Sequence, residues 1–309
     1  MASVVSLESQ AWCDALVGVD GLETVVWDMT GDPPRDDIEL VVPPYAGMDS
    51  AKFGRLTTCP QLSVVQLVTA GYENVIPHLP PGVQLANGAG IHDTSTAELA
   101  LTLALASLRG VPQAARNAEH GVWASMAGRR SLADRRVLIL GYGSIGRAIA
   151  RRLQPFEVRL TAVASRARSG DELVDRIHST QELDQLLPAQ DVVIIVVPLI
   201  EATRHLVDAR FLAALAEGAL LINVARGGVV DTDALIRECR SGRLTAALDV
   251  TDPEPLPADH PLWNTPGVLI TPHVGGDTTA FEPRALAFLR RELATFARGE
   301  QLSHVVATG

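Results

Sequence analysis

A glycine-rich turn near the middle of the chain joins a short apolar run directly to a predicted helix. The apolar run is Val137–Leu140, and the helical stretch is Arg147–Leu153. In this setting Gly141 allows a tight turn, Gly143 lets the backbone approach a pyrophosphate, and Gly146 lets helix and strand pack closely. The phosphates would meet the helix N-terminus. The turn therefore predicts a dinucleotide-binding βαβ unit, and the alternative is a turn that merely favours glycine. The predicted contacts are Gly141, Tyr142, Gly143, Ser144, Ile145 and Gly146.

Strand and helix signals alternate around this turn, from Asp134 to Thr279. Short apolar runs bounded by turn residues are typical of strands that are buried on both faces of a parallel sheet. Their alternation with helical segments predicts a doubly wound sheet. The predicted strands are Val137–Leu140, Arg159–Ala164, Val192–Val197, Ala219–Val224, Thr245–Val250 and Val268–Thr271, with a helix after each of the first two.

The N-terminal part of the chain repeats this pattern on a smaller scale. The segments Ser9–Val17 and Asp49–Leu56 are compatible with helices between buried strands. Pro283–Gly299 is one amphipathic helix, which we expect to return to this first domain. The predicted strands are Thr24–Trp27, Ile38–Val42, Ser63–Thr69 and Val83–Asn87.

The length of the chain, 309 residues, fits two domains of ordinary size. We expect the first domain to comprise residues 1–93, completed by 281–309, and the second to comprise residues 94–280. The predicted fold class is α/β with two doubly wound domains. A substrate is expected at the hinge between them.

The composition limits the partners and the compartment. The net charge of −10 argues against nucleic acid or an anionic membrane as the main partner, since both call for a basic surface. The net charge does not exclude a small anionic substrate, because one buried arginine is enough to bind it. The three cysteines are far apart and lack zinc spacing, which predicts reduced thiols, no metal and a cytoplasmic protein. The N-terminus predicts no signal peptide, and no apolar run reaches the ~18 residues that a membrane span needs.

The segment Thr96–Arg109 is apolar nearly all round. Ser95–Glu98 has the spacing of a capping box and predicts the start of a helix, and Gly110–Pro112 predicts its end. A helix without a polar face is expected to be buried on all sides. Two interpretations stay open, a central core helix of one subunit or part of a subunit interface. We predict a homodimer through the region Thr96–Ala133.

The second strand of the dinucleotide-binding unit ends in basic residues. NAD-preferring sites carry Asp or Glu about 20 residues after the glycine loop, where the carboxylate accepts from the ribose 2′-hydroxyl. This chain has Ser165, Arg166 and Arg168 instead. Because guanidinium groups bind phosphate, these residues predict a preference for NADP, while NAD stays an option. The alternative is that the arginines are solvated surface charges and both cofactors are used.

A cation, a carboxylate and an imidazole follow the glycine loop. Reduction of a 2-oxo acid by a nicotinamide hydride needs all three. The arginine clamps the anionic substrate, the histidine exchanges the hydroxyl proton, and the glutamate favours the protonated histidine. Alone, each has an ordinary interpretation as a strand-capping arginine, a solvated loop acid or a core histidine. The residues and their segments are Arg226 in Asn223–Asp231, Glu254 in Asp249–Pro255 and His273 in Thr271–Gly276.

These segments resemble those of the D-isomer-specific 2-hydroxyacid dehydrogenases. The similarity runs from about Asn87 to Gly276 and is most specific at the glycine loop and at the three segments just described. The resemblance implies a Rossmann dinucleotide-binding domain and a flavodoxin-like substrate domain. It also implies that Arg226 binds the substrate carboxylate and polarises the carbonyl. By the same resemblance, His273 is the acid–base residue and Glu254 supports it.

The resemblance implies further contacts. Backbone N–H groups of Ala70 and Gly71, in the loop Thr69–Tyr72, would bind the substrate carboxylate. Thr96 would lie near the cofactor, and Asp249 would face the nicotinamide carboxamide. The remaining implied cofactor-binding residues are Val197, Pro198, Ala225 and Gly275. Thr96 and Pro198 have an ordinary alternative as a cap and a turn residue.

Substrate choice depends on the first domain. Relatives that act on phosphite carry Lys immediately before the loop glycine, and Ala70 at this position counts against phosphite. What remains is a small 2-oxo acid, with glyoxylate and hydroxypyruvate as the leading candidates. The alternative from another class is a dinucleotide-sensing, non-catalytic binding protein on the same fold. Candidates to line the pocket, each with ordinary packing as its alternative, are Tyr45, Tyr72, His92, Trp263 and Arg284.

Overall fold

Strands and helices alternate along residues 2–309, which a computed structural model of the protein describes. The N-terminal elements are β1 (Ser3–Leu7), α1 (Gln10–Ala15), β2 (Leu22–Val26), β3 (Ile38–Val41), α2 (Ser50–Gly54), β4 (Val64–Gln66) and β5 (Gln84–Ala86). The middle of the chain contains α3 (Asp93–Arg109), α4 (Val111–Glu119), β6 (Arg136–Leu140), α5 (Ser144–Leu153), β7 (Arg159–Ala164), β8 (Arg168–Ser169), β9 (Arg176–Ser179) and α6 (Leu183–Leu186). The later elements are β10 (Val192–Ile195), α7 (Ala209–Ala214), β11 (Leu220–Asn223), α8 (Thr232–Arg240), β12 (Thr245–Leu248), β13 (Val268–Ile270), α9 (Phe281–Ala297) and β14 (Val305–Thr308).

The chain forms two compact units. Unit 1 contains the residues up to His92 and those from Thr279 onward, and unit 2 is Asp93–Thr278.

Unit 1 is built on a six-stranded sheet with the order β14-β5-β4-β3-β1-β2. The strands β1 to β5 run parallel in the flavodoxin-like order 2-1-3-4-5, and β14 pairs antiparallel with β5. Successive strand residues point to opposite faces. Val4 therefore packs in one apolar cluster with Met29, and Val5 packs in the other with Phe288. The strands β1 and β14 have no counterpart among the predicted strands.

Unit 2 is built on an eight-stranded sheet with the order β13-β12-β11-β10-β6-β7-β9-β8. From β9 to β12 this is the Rossmann order 3-2-1-4-5-6, and the neighbours β6 and β10 mark the point where the order reverses. Leu138 and Leu140 pack on one face, and Val137 and Ile139 pack on the other. The predicted α/β class is confirmed.

The helix predicted after Arg159–Ala164 is present as the short α6, but a hairpin that was not predicted comes before it. The chain first makes a short antiparallel hairpin of β8 and β9, and the next α-helix begins only at Leu183. A Cβ at Gly170 would lie 1.8 Å from the carbonyl oxygen of Val174, so the turn of this hairpin needs glycine. β8 is exposed and β9 buries only Ile177, so both strands lack the apolar run on which the other strands were predicted.

The predicted capping box at Ser95–Glu98 is also wrong. The helix α3 begins at Asp93, so Ser95 lies inside its first turn and its hydroxyl lies 2.8 Å from that of Thr278. The helix ends at Arg109 as predicted, and α4 follows at once. In this single chain α3 is not buried on all sides, because Glu98, Thr102 and Arg109 are exposed.

The cysteines are buried and unpaired, in line with the predicted thiols. Burial raises the pKa of Cys59 to about 11 and that of Cys239 to about 12. Thiols of this kind are poor nucleophiles, because the thiolate is the reactive form. Along residues 2–309, no helix has both the length and the apolar character that crossing a membrane requires.

Candidate active site

Three neighbouring strands of unit 2 bring the predicted catalytic residues to one edge of the sheet. The strands β11, β12 and β13 are adjacent and parallel, so their carboxyl ends lie side by side. Arg226 follows β11, Glu254 follows β12 and His273 follows β13. In open α/β sheets this edge is where ligands bind.

A buried side-chain amide shapes the turn that carries Arg226. Asn223, only 1% exposed, accepts from the N–H of Ala225 at 3.0 Å and donates to the carbonyl of Arg226 at 3.0 Å. The half-buried Arg226 also donates through Nη1 to the carbonyl of Ala225 at 2.8 Å. A Cβ at Gly227 would lie 1.9 Å from the carbonyl oxygen of Thr251, so only glycine allows this turn to approach the segment after β12. No role was predicted for Asn223, although Asn at a strand end before a turn is a recognisable signal.

An ion pair joins Glu254 to His273. Nδ1 of His273 and Oε1 of Glu254 are 2.5 Å apart, and the side chains are 44% and 39% exposed respectively. The hydrogen bond to Glu254 raises the pKa of His273 above 6.5, against the effect of partial burial. Partial burial acts to raise the pKa of Glu254, but the hydrogen bond and the charge of His273 outweigh it and lower this pKa below 4.5. Both shifts favour an ionised Glu254 beside a protonated His273.

The charge of Arg226 acts on both members of this pair. It opposes protonation of His273 and favours ionisation of Glu254. Since Glu254 engages Nδ1, Nε2 is the ring nitrogen that remains for proton exchange with a ligand. A guanidinium beside a protonated imidazole suits a small anion that carries a carbonyl group.

The buried carboxylate of Asp249 holds the loop that carries His273. Its Oδ1 accepts from the hydroxyl of Thr271 at 2.6 Å and from the N–H of Val274 at 2.9 Å, and its Oδ2 accepts from the N–H of Gly275 at 2.9 Å. The carbonyl of Asp249 accepts from the N–H of His273 at 2.8 Å. His273 itself has φ 54°, a left-handed conformation that is uncommon for a side-chain-bearing residue. Four hydrogen bonds to one residue therefore keep His273 in this conformation.

The glycine loop has the close contacts that its motif requires. Gly141 has φ 111°, and a Cβ there would lie 2.5 Å from the carbonyl oxygen of Val196. A Cβ at Gly146 would lie 2.0 Å from the carbonyl oxygen of Gly141. Gly143 is exposed, and a Cβ there would meet no atom of the described chain within 4 Å. Internal packing thus requires glycine at Gly141 and Gly146. Glycine at Gly143 is required only if a ligand approaches the loop from outside.

A polar network lies behind the glycine loop. The hydroxyl of Tyr142 donates to Asp171 at 3.1 Å, and Arg147 pairs with Asp171 at 3.0 Å. Burial and the bond to Asp171 raise the pKa of Tyr142 well above its usual range. Nη2 of Arg168 donates to the carbonyl of Tyr142 at 2.9 Å, which ties the hairpin to the loop. Sequence reasoning missed Asp171, because its role depends on the hairpin that it also missed.

The remaining predicted cofactor residues differ in exposure. Thr96 donates to the carbonyl of Gly275 at 3.4 Å, and a Cβ at Gly275 would lie 2.9 Å from Asp249. These contacts group Thr96 and Gly275 with Asp249. Ala225 is buried and Val197 is half-buried, whereas the exposed ones are Ser165, Arg166, Arg168 and Pro198.

The loop Thr69–Tyr72 belongs to unit 1 and follows β4. Its carbonyls are engaged, since Ala70 accepts from Asn87 at 2.8 Å and Gly71 accepts from the hydroxyl of Thr69 at 2.8 Å. Within residues 2–309, the N–H groups of Ala70 and Gly71 donate to no protein acceptor. Two such adjacent N–H groups suit an anion.

Sequence comparison identifies the family. Residues 101–275, more than half of the chain, match the family model described as "D-isomer specific 2-hydroxyacid dehydrogenase, NAD binding domain". The chain belongs to the D-isomer specific 2-hydroxyacid dehydrogenase family. As a member it is an NAD(P)-dependent oxidoreductase, and the comparisons give no support to the non-catalytic alternative.

Similar proteins include glyoxylate reductases. The chain is 32% identical over 254 residues to the glyoxylate reductase of Thermofilum pendens, covering 79% of this chain and 75% of that one. It is 33% identical over 227 residues to the human glyoxylate reductase/hydroxypyruvate reductase, covering 72% of this chain and 69% of that one. Among solved structures, a family member from Xanthobacter autotrophicus in complex with NADPH is 28% identical, with a TM-score of 0.81 and coverage of 98% of both chains. An NADPH-dependent glyoxylate/hydroxypyruvate reductase from Sinorhizobium meliloti is 25% identical, with a TM-score of 0.78 and coverage of 99% and 97%.

Proposed function

We propose that this dehydrogenase reduces a small 2-oxo acid, glyoxylate or hydroxypyruvate, to the D-2-hydroxy acid with NADPH. The observation that carries the proposal is the Glu254–His273 ion pair beside Arg226, since it supplies a proton and a cation at one edge of the sheet. The names of the similar proteins from Thermofilum pendens, Homo sapiens and Sinorhizobium meliloti support this substrate class.

In the proposed mechanism the substrate carboxylate and carbonyl oxygen face Arg226, which binds the anion and polarises the carbonyl. When bound, the nicotinamide supplies the hydride. His273 gives the proton on Nε2 to the carbonyl oxygen as the alcohol forms. Glu254 stabilises the protonated imidazole before the transfer and keeps the ring oriented. In unit 1, the N–H groups of Ala70 and Gly71 are proposed as further donors to the carboxylate.

The residues of the glycine loop fit a dinucleotide. Gly143 has open space at the position of a side chain, and α5 begins immediately after it without a side-chain cap. Backbone N–H groups at such a helix N-terminus favour phosphate. We propose that the loop Gly141–Gly146 holds the pyrophosphate. The other residues proposed to line the cofactor are Thr96, Val197, Pro198, Ala225, Asp249 and Gly275.

A preference for NADP is proposed on the basic residues after β7. Arg168 lies against the glycine loop through its bond to Tyr142, and Ser165 and Arg166 are exposed beside it in sequence. Guanidinium groups at this place favour a 2′-phosphate. The double variant Arg166→Gln/Arg168→Gln should lower the ratio of kcat/KM for NADPH to that for NADH about tenfold or more, since a hydrogen bond to a charged group is worth ~1.5–3 kcal/mol.

The matched control for this variant is Arg176→Gln, which removes an exposed arginine from the other strand of the same hairpin. We expect the cofactor ratio of the control to equal that of the wild type. An unchanged ratio in the double variant would refute the cofactor proposal and leave the reductase proposal intact.

A homodimer through the region Thr96–Ala133, in the cytoplasm, is also proposed. This region exposes Val111 (53%), Val122 (52%) and the whole of Trp123. Exposed apolar side chains grouped in one segment are typical of association surfaces. Light scattering should give twice the mass of the chain for the wild type and a lower mass for Trp123→Ser.

The reductase proposal is tested by replacing His273. His273→Ala should lower kcat for glyoxylate by ~10²–10⁴-fold, the usual contribution of a general acid, while NADPH binding is kept. The chain offers a matched control, because His178 pairs with Glu182 at 2.9 Å elsewhere in unit 2. His178→Ala should retain wild-type kcat. Near-wild-type turnover in His273→Ala would exclude the proposed acid.

A further inference from the structure

Three rings stack at one place in unit 1. The ring centroids of Tyr45 and Phe281 are 4.0 Å apart, those of His92 and Phe281 are 5.2 Å apart, and those of Tyr45 and His92 are 5.5 Å apart. At these distances the rings are in van der Waals contact, so no further group fits between them. We call Tyr45, His92 and Phe281 the ring cluster.

The ring cluster lies beside the loop that is proposed to bind the substrate carboxylate. Tyr45 follows β3 and His92 follows β5, and these two strands flank β4 on either side. The loop Thr69–Tyr72 follows β4 itself. Tyr45 and Phe281 pack in the apolar cluster that contains Val68, the residue directly before this loop, so the ring cluster lies next to the loop.

Hydrogen bonds join the same loop to the segment that leads to His92. The N–H of Gly88 donates to the carbonyl of Thr69 at 2.7 Å, and the side chain of Asn87 donates to the carbonyl of Ala70 at 2.8 Å. A Cβ at Gly88 would lie 2.6 Å from the backbone of Val68, so the two segments are in close contact.

The cluster is held from several directions. The N–H of Tyr45 donates to the carboxylate of Glu8 at 3.0 Å, directly after β1. Phe281 begins α9 and packs against the buried Trp12, with 6.3 Å between the centroids. His92 is only 8% exposed. Because close-packed protein interiors deform little, the ring cluster forms a rigid surface.

We propose that the ring cluster is the wall that limits the substituent on the carbonyl carbon of the substrate. With the carboxylate on the N–H groups of Ala70 and Gly71, a hydrogen or a hydroxymethyl group is accepted, and a branched or aromatic side chain meets the rings. This inference rests on the proposed function and deepens it, since it states why the substrate class is small.

Phe281→Ala tests this inference, with Phe296→Ala as the matched control. Both are half-buried phenylalanines of α9 that pack in the same apolar cluster, but 15 positions separate them, about 22 Å along a helix. The measurement is kcat/KM for glyoxylate, hydroxypyruvate, 2-oxoisocaproate and phenylpyruvate at saturating NADPH. The thermal unfolding of both variants is compared with that of the wild type.

The expected result is a rise of about tenfold or more in the ratio of kcat/KM for 2-oxoisocaproate to that for glyoxylate in Phe281→Ala, since even one methylene group in a fitted pocket is worth at least about tenfold. The ratio in Phe296→Ala should stay within about twofold of the wild type. If Phe281→Ala does not fold, Tyr45→Ala, which opens the other side of the closest ring pair, is judged by the same ratio.

An unchanged ratio in a folded Phe281→Ala variant would overturn the inference, as would an equal rise in Phe296→Ala. A wild-type enzyme that prefers phenylpyruvate would also overturn it, because the rings would then line a subsite for aromatic side chains. The first two outcomes leave the proposed function standing, whereas a preference for phenylpyruvate would also contradict the proposed small substrate. In contrast, a wild type that binds NADPH and reduces none of the four acids refutes the proposed function itself.

Discussion

The carboxylate of Asp249 offers the sharpest test of how the fold positions the proposed acid. Asp249 is 3% exposed and its side chain accepts three hydrogen bonds from the loop that carries His273. Asp249→Ala removes both acceptor oxygens and all three hydrogen bonds. Asp249→Asn keeps the shape, but in either orientation of the amide its NH₂ group faces the N–H of Val274 or of Gly275.

The magnitudes follow from these contacts. An unsatisfied buried donor costs ~1–3 kcal/mol, and Asp249→Ala leaves two backbone N–H groups without an acceptor. Removal of the buried carboxylate also removes its desolvation cost, which offsets part of this loss. The net destabilisation of the loop should be about 3 kcal/mol. Asp249→Asn loses one backbone contact and should cost about 1.5 kcal/mol on the same basis. A loosened loop misplaces His273, and a misplacement near 1 Å lowers turnover about a hundredfold.

Hydrogen exchange followed by mass spectrometry measures this directly in peptides that cover residues 271–278. Protection there should fall in the order wild type, Asp249→Asn, Asp249→Ala, and kcat for glyoxylate should fall in the same order. The control is Asp208→Ala, which removes the N-cap of α7 in the same unit and should leave residues 271–278 protected. Equal protection in Asp249→Ala and the wild type would refute the reasoning.

Three further predictions concern the ion pair and the glycine loop. Glu254→Gln removes the partner that raises the pKa of His273, so the alkaline limb of kcat/KM for reduction should move to lower pH; an unmoved limb in the pH profile contradicts this. Folding lowers the pKa of Glu254 from 4.5 and raises that of His273 from 6.5. The pair therefore stabilises the fold fully between pH 4.5 and 6.5. The difference in thermal unfolding between wild type and Glu254→Gln should be largest in this window and shrink on either side. Gly146→Ala, with a Cβ 2.0 Å from the carbonyl oxygen of Gly141, should disrupt the fold of unit 2, whereas Gly143→Ala should fold normally and lose NADPH affinity; fluorescence titration and circular dichroism separate the two, and normal folding of Gly146→Ala would contradict the packing argument.

The sequence predicted those features of the chain that depend on the residues of one short segment. The buried strands of unit 2 were predicted near their observed positions, because strands covered on both faces are continuous apolar runs. The glycine loop was predicted by its position between a strand and a helix. Arg226, Glu254 and His273 were selected by residue type and order, and the sheet brings their segments to one edge.

The elements that were missed depend on partners far away in the sequence. The strand β14 is mostly half-buried and exists through its pairing with β5. The hairpin of β8 and β9 has little apolar content, and Arg168 and Asp171 acquire their contacts with Tyr142 only through it. The predicted capping box failed because α3 begins at Asp93, so Ser95 lies inside the helix, where its hydroxyl contacts that of Thr278.

The sequence by itself determined the fold class, the glycine loop and the identity of the three candidate catalytic residues, because periodicity, turn chemistry and ionisable side chains are properties of short segments. Only the tertiary structure decided that Asp249 holds the His273 loop, that Asn223 shapes the turn of Arg226 and that Tyr45, His92 and Phe281 stack. The physical reason is that hydrogen bonds and ring contacts between distant residues depend on the order and register of the strands, which no single segment encodes.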